Sequence, residues 1–440
     1  MKSFLLSHRS PFARLVVLPV FFLAVAVCGL ALVSMIAIYN GAIAAGIPMA
    51  PIALGANTID NLIPDTYAAL KVVSRELVGL IPAVNRDSRA DRLAIGQSLR
   101  SVTAPVNTAG KDITAAMALP AAADQTLGNV PFTLSKVRAF PFSWSGEQAY
   151  AVQQGPGLLT INQQQIAQAI RAAVGEISTD LYAAMRKGAS RAYGTAGTTP
   201  FATDTAASAQ LKKILDDNGT GQADRHLVLN TTAGANMRSL ASLQKVNEAG
   251  SADMLRQGTL LDINGFAIRE DAKIISVTKG TAASATTNAA GYAVGATTLT
   301  LAAAGTGTIL AGDVITFAGD TNKYVVKTGN ADVSAAGTIV LAEPGLLIAM
   351  SAATKAITVG ADFTANLGFT RDFAILGTRL PFMDPSIKDL AYFRETIIDP
   401  VSLLAFELAA YPGYRMAAFE IGIAWGQAVE NPEHGAILLG

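Results

Sequence analysis

Cysteine is almost absent from this chain. Cys28 is the only one in 440 residues, which excludes an internal disulfide framework and a cysteine-rich zinc site. Histidine is nearly as scarce: His8, His226 and His434 fall in unrelated segments. Charged residues make up 15% and aromatics 7%, while Ala, Gly and Thr abound. A chain so rich in aliphatics is too apolar for disorder. Its formal net charge is zero. From Met49 onward the charge is 30 − 33 = −3, because Lys2, Arg9 and Arg14 drop out and no acid precedes Asp60. That balance does not support a dedicated nucleic-acid binder, which shows a basic patch. It suits a protein that packs against copies of itself without long-range repulsion. No HExxH, CxxC, GxSxG or GxxxxGK[ST] pattern occurs.

What is present begins with an uncharged apolar run, Leu15 to Ile38, behind Lys2, Arg9 and Arg14. It is long enough to cross a bilayer and carries the basic flank of an N-in span or of a secretory signal. Ala42-Ile43-Ala44 offers a small-x-small cleavage site. Met49-Ala50-Pro51 follows as a natural start, after which the composition becomes that of a soluble domain. Three readings of residues 1–48 stand: an over-extended reading frame, a membrane anchor, and a cleaved signal.

The stretch Leu159 to about Gly194 reads as one amphipathic helix. Ile166, Ile170, Val174, Ile177, Leu181 and Met185 recur at three- and four-residue steps. Thr160 with Gln163 forms a capping-box start, Arg186 and Lys187 suit the negative end of the dipole, and Gly188 and Gly194 weaken or stop the helix. Its expected length, about 45 Å, exceeds what an ordinary domain needs. Before it, Leu62, Tyr67, Leu70, Val73, Leu77 and Leu80 mark a short helix between Pro64 and Pro82. Alternation over 97–102 and 130–142 predicts an extended two-stranded excursion with an Ala/Pro/Gly-rich tip, leaning on a neighbour or forming a mobile loop. After the long helix, the pattern predicts a helix over 206–217, a strand over 226–230, a helix from Thr231 or Thr232 to Leu243, another over 246–256, and strands at 260–263 and 266–268.

Composition shifts at 274–365, which has few charges. Strands are predicted at 297–301, 314–317, 323–327 and 338–341, separated by Gly/Asp/Asn turns at barrel-like spacing. Asp313 and Asp320 read as turn residues rather than calcium ligands, since the alternating carboxylates of a calcium loop are missing. In 366–440, Phe373, Ile375 and Leu376 mark a strand. Val401 to Tyr411 and Tyr414 to Trp425 mark two more, joined at Pro412-Gly413. Phe419, Ile421, Ile423 and Trp425 alternate onto one face. The fold class expected is α+β, with a mixed α/β domain split by an inserted small β-barrel.

Few residues are candidates for chemistry. Glu176 and Asp180, at i and i+4 on the polar face of the long helix, read as solvated charges, with Glu147 near its start. His226 beside Arg225 reads as structural. Nothing assembles a nucleophile, a base and an oxyanion donor, so no catalytic, cofactor-binding or metal-binding residue is expected and no enzyme is inferred.

The order of parts resembles the major capsid (coat) proteins of tailed bacteriophages with the Hong Kong-97-type fold, and within them the coat proteins of the Salmonella phage P-22 kind and their prophage relatives, which carry an insertion barrel. The stretches that carry it are NLIPDTYAALKVVSRELVG, the long helix with SRAYGTAGTTPFA, LRQGTLLDINGFAIRE, NLGFTRDFAILGTRLP and YPGYRMAAFEIGIAWGQAVENPE, covering Asn57 to Gly440. The resemblance implies an N-terminal arm at 49–94, an extended β-loop and the start of a peripheral domain at 95–158, and a spine helix at 159–203. It implies an axial domain from 204–273 and 366–440 and the barrel at 274–365. It further implies a virion protein that self-assembles into pentamers and hexamers of an icosahedral shell in the host bacterial cytoplasm. Scaffolding protein and portal are the implied partners, with DNA enclosed without sequence reading. Residues 1–48 depart from the pattern, since such coat proteins have no membrane span. The competing reading is a membrane-anchored or exported β-rich surface protein that uses residues 15–38 literally.

Overall fold

A computed structural model of the chain describes residues 77–103, 128–153, 158–245, 262–384, 386, 389–399 and 402–440. The apolar run 15–38, most of the helix expected over 57–82, the tip at 104–127 and the helix expected over 246–256 lie outside these. All described residues belong to the compact unit Leu62–Gly440.

In chain order, strands β1 (Asn85–Leu93), β2 (Ser98–Thr103), β3 (Gly128–Thr133) and β4 (Lys136–Ser145) come first. Helix α1 (Gly146–Gln153) and the long helix α2 (Leu158–Gly188) follow. Next are β5 (Arg191–Tyr193), α3 (Ala206–Asp217), β6 (Arg225–Leu229), α4 (Thr231–Ser239) and β7 (Ala267–Glu270). The middle of the chain holds β8 (Ser276–Val277), β9 (Thr298–Leu301), β10 (Val314–Phe317), β11 (Lys323–Thr328), β12 (Gly337–Leu341) and β13 (Ile357–Val359). The chain closes with β14 (Phe363–Thr370), β15 (Ala374–Pro381), β16 (Phe393–Ile398), β17 (Ala405–Gly413), β18 (Met416–Val429) and β19 (Gly435–Leu439). The architecture is mixed α+β, rich in sheet and poor in helix.

Helix α2 has 31 residues, roughly 46 Å at 1.5 Å per residue. Ile170, Val174, Ile177, Leu181 and Met185 on its predicted stripe are buried, so tertiary burial of that face stabilises it rather than propensity alone. It stops at Gly188, short of Gly194, and the missing Cβ there leaves room for Val429, which a Cβ would meet at 2.6 Å. The chain leaves the helix at this contact and enters β5.

Two sheets carry the rest. In the first, the 14-residue β18 is the central strand. Its first half pairs with β17 and its second half with β15, while β4 runs antiparallel along its other side. β1 joins β15 in parallel and β16 closes the far edge beyond β17. Ile421, Ile423 and Trp425 point to α2 as alternation requires. The β17–β18 turn is Tyr414-Arg415, with Arg415 at φ 54°, and not Pro412-Gly413. Pro412 stays in register opposite Ala417, inside the ladder. The other side of the sheet carries the β2–β3 ribbon. Gly377 and Gly426 lie opposite each other in register, and a Cβ on either would come within 2.5 Å of Phe132 or the Thr133 carbonyl. The paired glycines form the floor on which the ribbon root rests.

The second sheet runs β13-β10-β11-β5-β19-β14-β6-β7. Segment 366–440, expected as one piece of a single α/β domain, therefore divides: β14 and β19 pair in the second sheet, while β15 to β18 lie under α2 in the first. Hydrogen bonding also runs from β11 through β12 to β9, and isolated bridges link Thr287 to Leu301 and Thr286 to Ala356. Residues 285–359 bury a cluster of their own, with Ile315, Tyr324, Val326 and Ile339 fully covered.

Candidate functional site

The polar face of α2 is not solvated as expected. Lys136 on β4 donates to Asp180 at 2.9 Å and to Glu176 at 3.3 Å, and Arg138 reaches Glu176 at 3.1 Å. The indole N–H of Trp425 donates to the other Asp180 oxygen at 3.0 Å. Sequence spacing along one helix could not reveal these partners, because they come from β4 and β18. The hydrogen bond from Lys136 to Asp180 raises the ammonium pKa. A groove of ≈ 560 Å³ beside it is lined by Lys136, Glu176 and Asp180 with Arg171 and Lys273. Lys187 is exposed at the helix end and Glu147 is exposed on α1.

Asp271 ties the start of the described chain to this helix, and sequence reasoning gave it no role. Its buried carboxylate accepts from the Gly79 and Leu80 amides at 2.9 and 3.0 Å and from Ser178 on α2 at 3.0 Å. Charge-assisted bonds of this kind are the strong ones. Nothing in the surrounding REDAK string announces the role.

The edges of the first sheet differ in chemistry. β1 is blunted by Arg86, Asp87, Arg89 and Asp91 and by a register shift between Ser88 and Arg92. The free side of β4 carries Pro141, which has no N–H to offer. β16 carries Arg394, which turns inward to Glu407, and exposed Glu395, but it has no proline and no register shift. It is a regular six-residue strand flanked by exposed Leu390 and Tyr392, and its own Phe393 and Ile398 are 42% and 64% exposed. Behind it, Arg394 grips Asp389 at 2.8 and 2.9 Å and pairs with buried Glu407 and the ring of Tyr411. Hydrogen bonds from Arg394 pull the Asp389 carboxyl down to about 2. The strand is thus fixed in place while its outer backbone groups have no partner among the described residues.

The three histidines do not converge. His8 lies outside the described residues. His226 is buried on β6 against Phe369, its Nε2 is 3.7 Å from Asp224, and neither ring nitrogen is hydrogen-bonded. Burial pushes its pKa down. His434 meets Asp372 through Nδ1 at 2.8 Å. Asp320 accepts from the Asn322 amide in its own turn, whereas buried Asp313 accepts from Leu310 and from distant Gly280. Among the described residues no group of three His, Cys, Asp or Glu side chains is placed to hold a metal. No described helix is long and apolar enough to cross a membrane, and residues 15–38 are outside that statement.

No known protein family matches the sequence, and no curated protein matches it. Solved structures similar to it include chains from phages and from a GTA particle. A chain of Mycobacterium phage Che8 has a TM-score of 0.44 and 13% identity, over 87% of this chain and 98% of that one. The capsid structure of cyanophage P-SCSP1u gives 0.44 and 12% over 89% and 98%. The mature capsid of bacteriophage PhiM1 gives 0.43 and 11% over 83% and 88%.

Proposed function

We propose that this chain is a shell-forming subunit, the major capsid (coat) protein of a tailed phage or prophage. The observation that carries the proposal is the first sheet. A 31-residue helix braces it on one face, while a ribbon that, among the described residues, pairs only with itself stands on the other. Its β16 edge is left open with apolar side chains beside it. A monomer gains nothing from a rigid tile with an unpaired edge, whereas a subunit that repeats the same contacts adds them around a closed symmetry. The motif resemblance to coat proteins with the Hong Kong-97-type fold, of the P-22 kind, supports the same reading.

On this reading residues 49–94 are the arm, 95–158 the extended loop with the start of the peripheral domain, and 159–203 the spine. Residues 204–273 and 366–440 supply the axial domain, with 374–429 returning beneath the spine, and 274–365 form the inserted barrel. Mechanically, the ion network of Lys136, Arg138, Glu176 and Asp180 locks the spine to its sheet. The ribbon and β16 then engage neighbouring copies. Scaffolding protein and portal are partners by resemblance, and DNA is enclosed without base readout. Assembly takes place in the host bacterial cytoplasm, and the product is a virion shell.

A second reading rests on Leu15 to Ile38, which would anchor or export the chain as a surface protein. One experiment separates the two. The chain is produced from Met49 and, separately, from Met1, then fractionated and viewed by negative-stain microscopy, with and without scaffolding protein. Shells or capsomers from the Met49 chain are expected, with intact mass placing the particle's N-terminus near Met49 or Ala50. A Met49 chain that stays monomeric even with scaffolding protein, or particles that contain 15–38, would sink the proposal.

A further inference from the structure

The geometry points to an oxyanion-binding pocket, shaped for a phosphate group, where β5, α3 and the turn before β11 meet. The cavity measures ≈ 380 Å³ and opens beside Arg191, Lys213 and Lys323, with Asp217 the one carboxylate among its lining residues. Three cations against one acid leave the walls two charges positive. No part of the shell proposal is used here.

The two inner cations lack a counter-ion. Arg191 is 5% exposed, yet its Nη2 donates only to neutral acceptors, the Ile214 carbonyl at 3.1 Å and the Asn218 side-chain oxygen at 2.6 Å. Its Nε is buried with no acceptor at all. Lys323 donates to the Gly194 carbonyl. Neither is ion-paired among the described residues, and Asp217 acts on Arg191 only through space. Burying an unpaired cation is costly, and burial does hold both groups below their ordinary pKa values. An anion entering the cavity would remove that cost at both positions.

Shape favours a tetrahedral oxyanion over chloride or a lone carboxylate. A guanidinium offers a planar fork and an ammonium a point charge, and phosphate oxygens accept from both at once. Thr195 and Thr321 are also among the lining residues. The cavity lies within the range that holds small molecules, so it has room for whatever carries the phosphate. Lys323 pairs in register with Ala192, so an anion held here would bridge β11 and β5, where residues 276–360 join the rest of the sheet.

The test is titration calorimetry of the full chain with inorganic phosphate, and in parallel with a nucleoside monophosphate, at ionic strength matched by chloride. Saturable phosphate binding is expected, and the monophosphate arm distinguishes a free ion from an ester. Removing one charged partner should weaken binding about tenfold in Lys323→Gln and in Lys213→Gln, the latter an exposed site that leaves folding intact. Asp217→Asn should tighten it. A flat titration with both ligands, or binding that Lys213→Gln and Asp217→Asn leave unchanged, would overturn the proposal.

Discussion

Two buried clusters in this chain are built in opposite ways. Residues 285–359 bury Leu299, Ile315, Val326 and Ile339 within one contiguous stretch, and every strand pairing inside it stays within that stretch, from the short β10–β11 connection to the longer β9–β12 and β10–β13 ones. The cluster around α2 draws on Leu80, Ile177, Phe369, Trp425 and Leu439, from nearly the whole described chain. A contiguous cluster closes short loops and can form from local contacts. The assembled one must bring its strands together across long sequence separations before any burial rewards it. The first is therefore expected to behave as a local unit, and the second as the element on which global stability depends. They join where β11 pairs with β5 and where Arg186 at the end of α2 donates to the Gly312 carbonyl at 3.2 Å.

The sharpest way to break this contrast is Trp425→Ala. Trp425 is fully buried between α2 and the first sheet, and its indole N–H holds Asp180. Truncation removes a large buried aromatic and takes one donor from the half-buried Asp180 carboxylate, at a cost of about 3–5 kcal/mol. Denaturant unfolding should show the loss in every probe. A variant whose α2 amides kept wild-type protection would show that the assembled cluster is not the global one. Ile339→Val is the smaller counterpart, with a cost of about 0.5–1.5 kcal/mol. Hydrogen exchange should quicken at amides of 298–341 while those of 170–185 stay as they were. Equal quickening in both regions would mean that the clusters unfold together.

The same contrast explains what could be read in advance. The strands at 314–317, 323–328 and 337–341 are short β-branched and aromatic runs set between Gly, Asp and Asn turns, so local pattern places them nearly to the residue. Helix α3 ends at Asp217, where Asn218-Gly219 stops it as expected, with Gly219 at φ 76°. β14 and β19 give no such signal. Both are buried on both faces, so neither alternates: β19 reads as a plain apolar run, and β14 mixes Asn366 and Thr370 into its buried positions. β1 reads as polar throughout and is a strand only because β15 lies beside it. The candidate site was legible where it depended on one segment, as with the stripe of α2. It was not where partners meet across the fold, as with Lys136 and Asp180, Asp271 and the Gly79 amide, or Arg191 and the Gly194–Lys323 edge.

The finest test concerns the places where the chain passes between the two sheets. Asp372 lies in the crossing from β14 to β15 and His434 in the crossing from β18 to β19, and their contact ties the crossings together. Hydrogen bonding to Asp372 raises the His434 pKa, and hydrogen bonding to His434 lowers that of Asp372. The signs differ. The histidine's contribution is complete below its ordinary 6.5 and fades as pH rises through its elevated folded value. The aspartate's is complete above its ordinary 3.8 and fades as pH falls through its depressed folded value. The tie is therefore strongest between those two ordinary values. Asp372 is half-exposed, so solvent screening limits the effect to about 0.2–1 kcal/mol. Subtracting the melting curve of His434→Asn from that of the unaltered chain cancels the other titrating groups. The difference should be largest near pH 5 and shrink by pH 8. A difference that is flat across this range, or grows toward pH 8, would mean that the two crossings are held by packing alone.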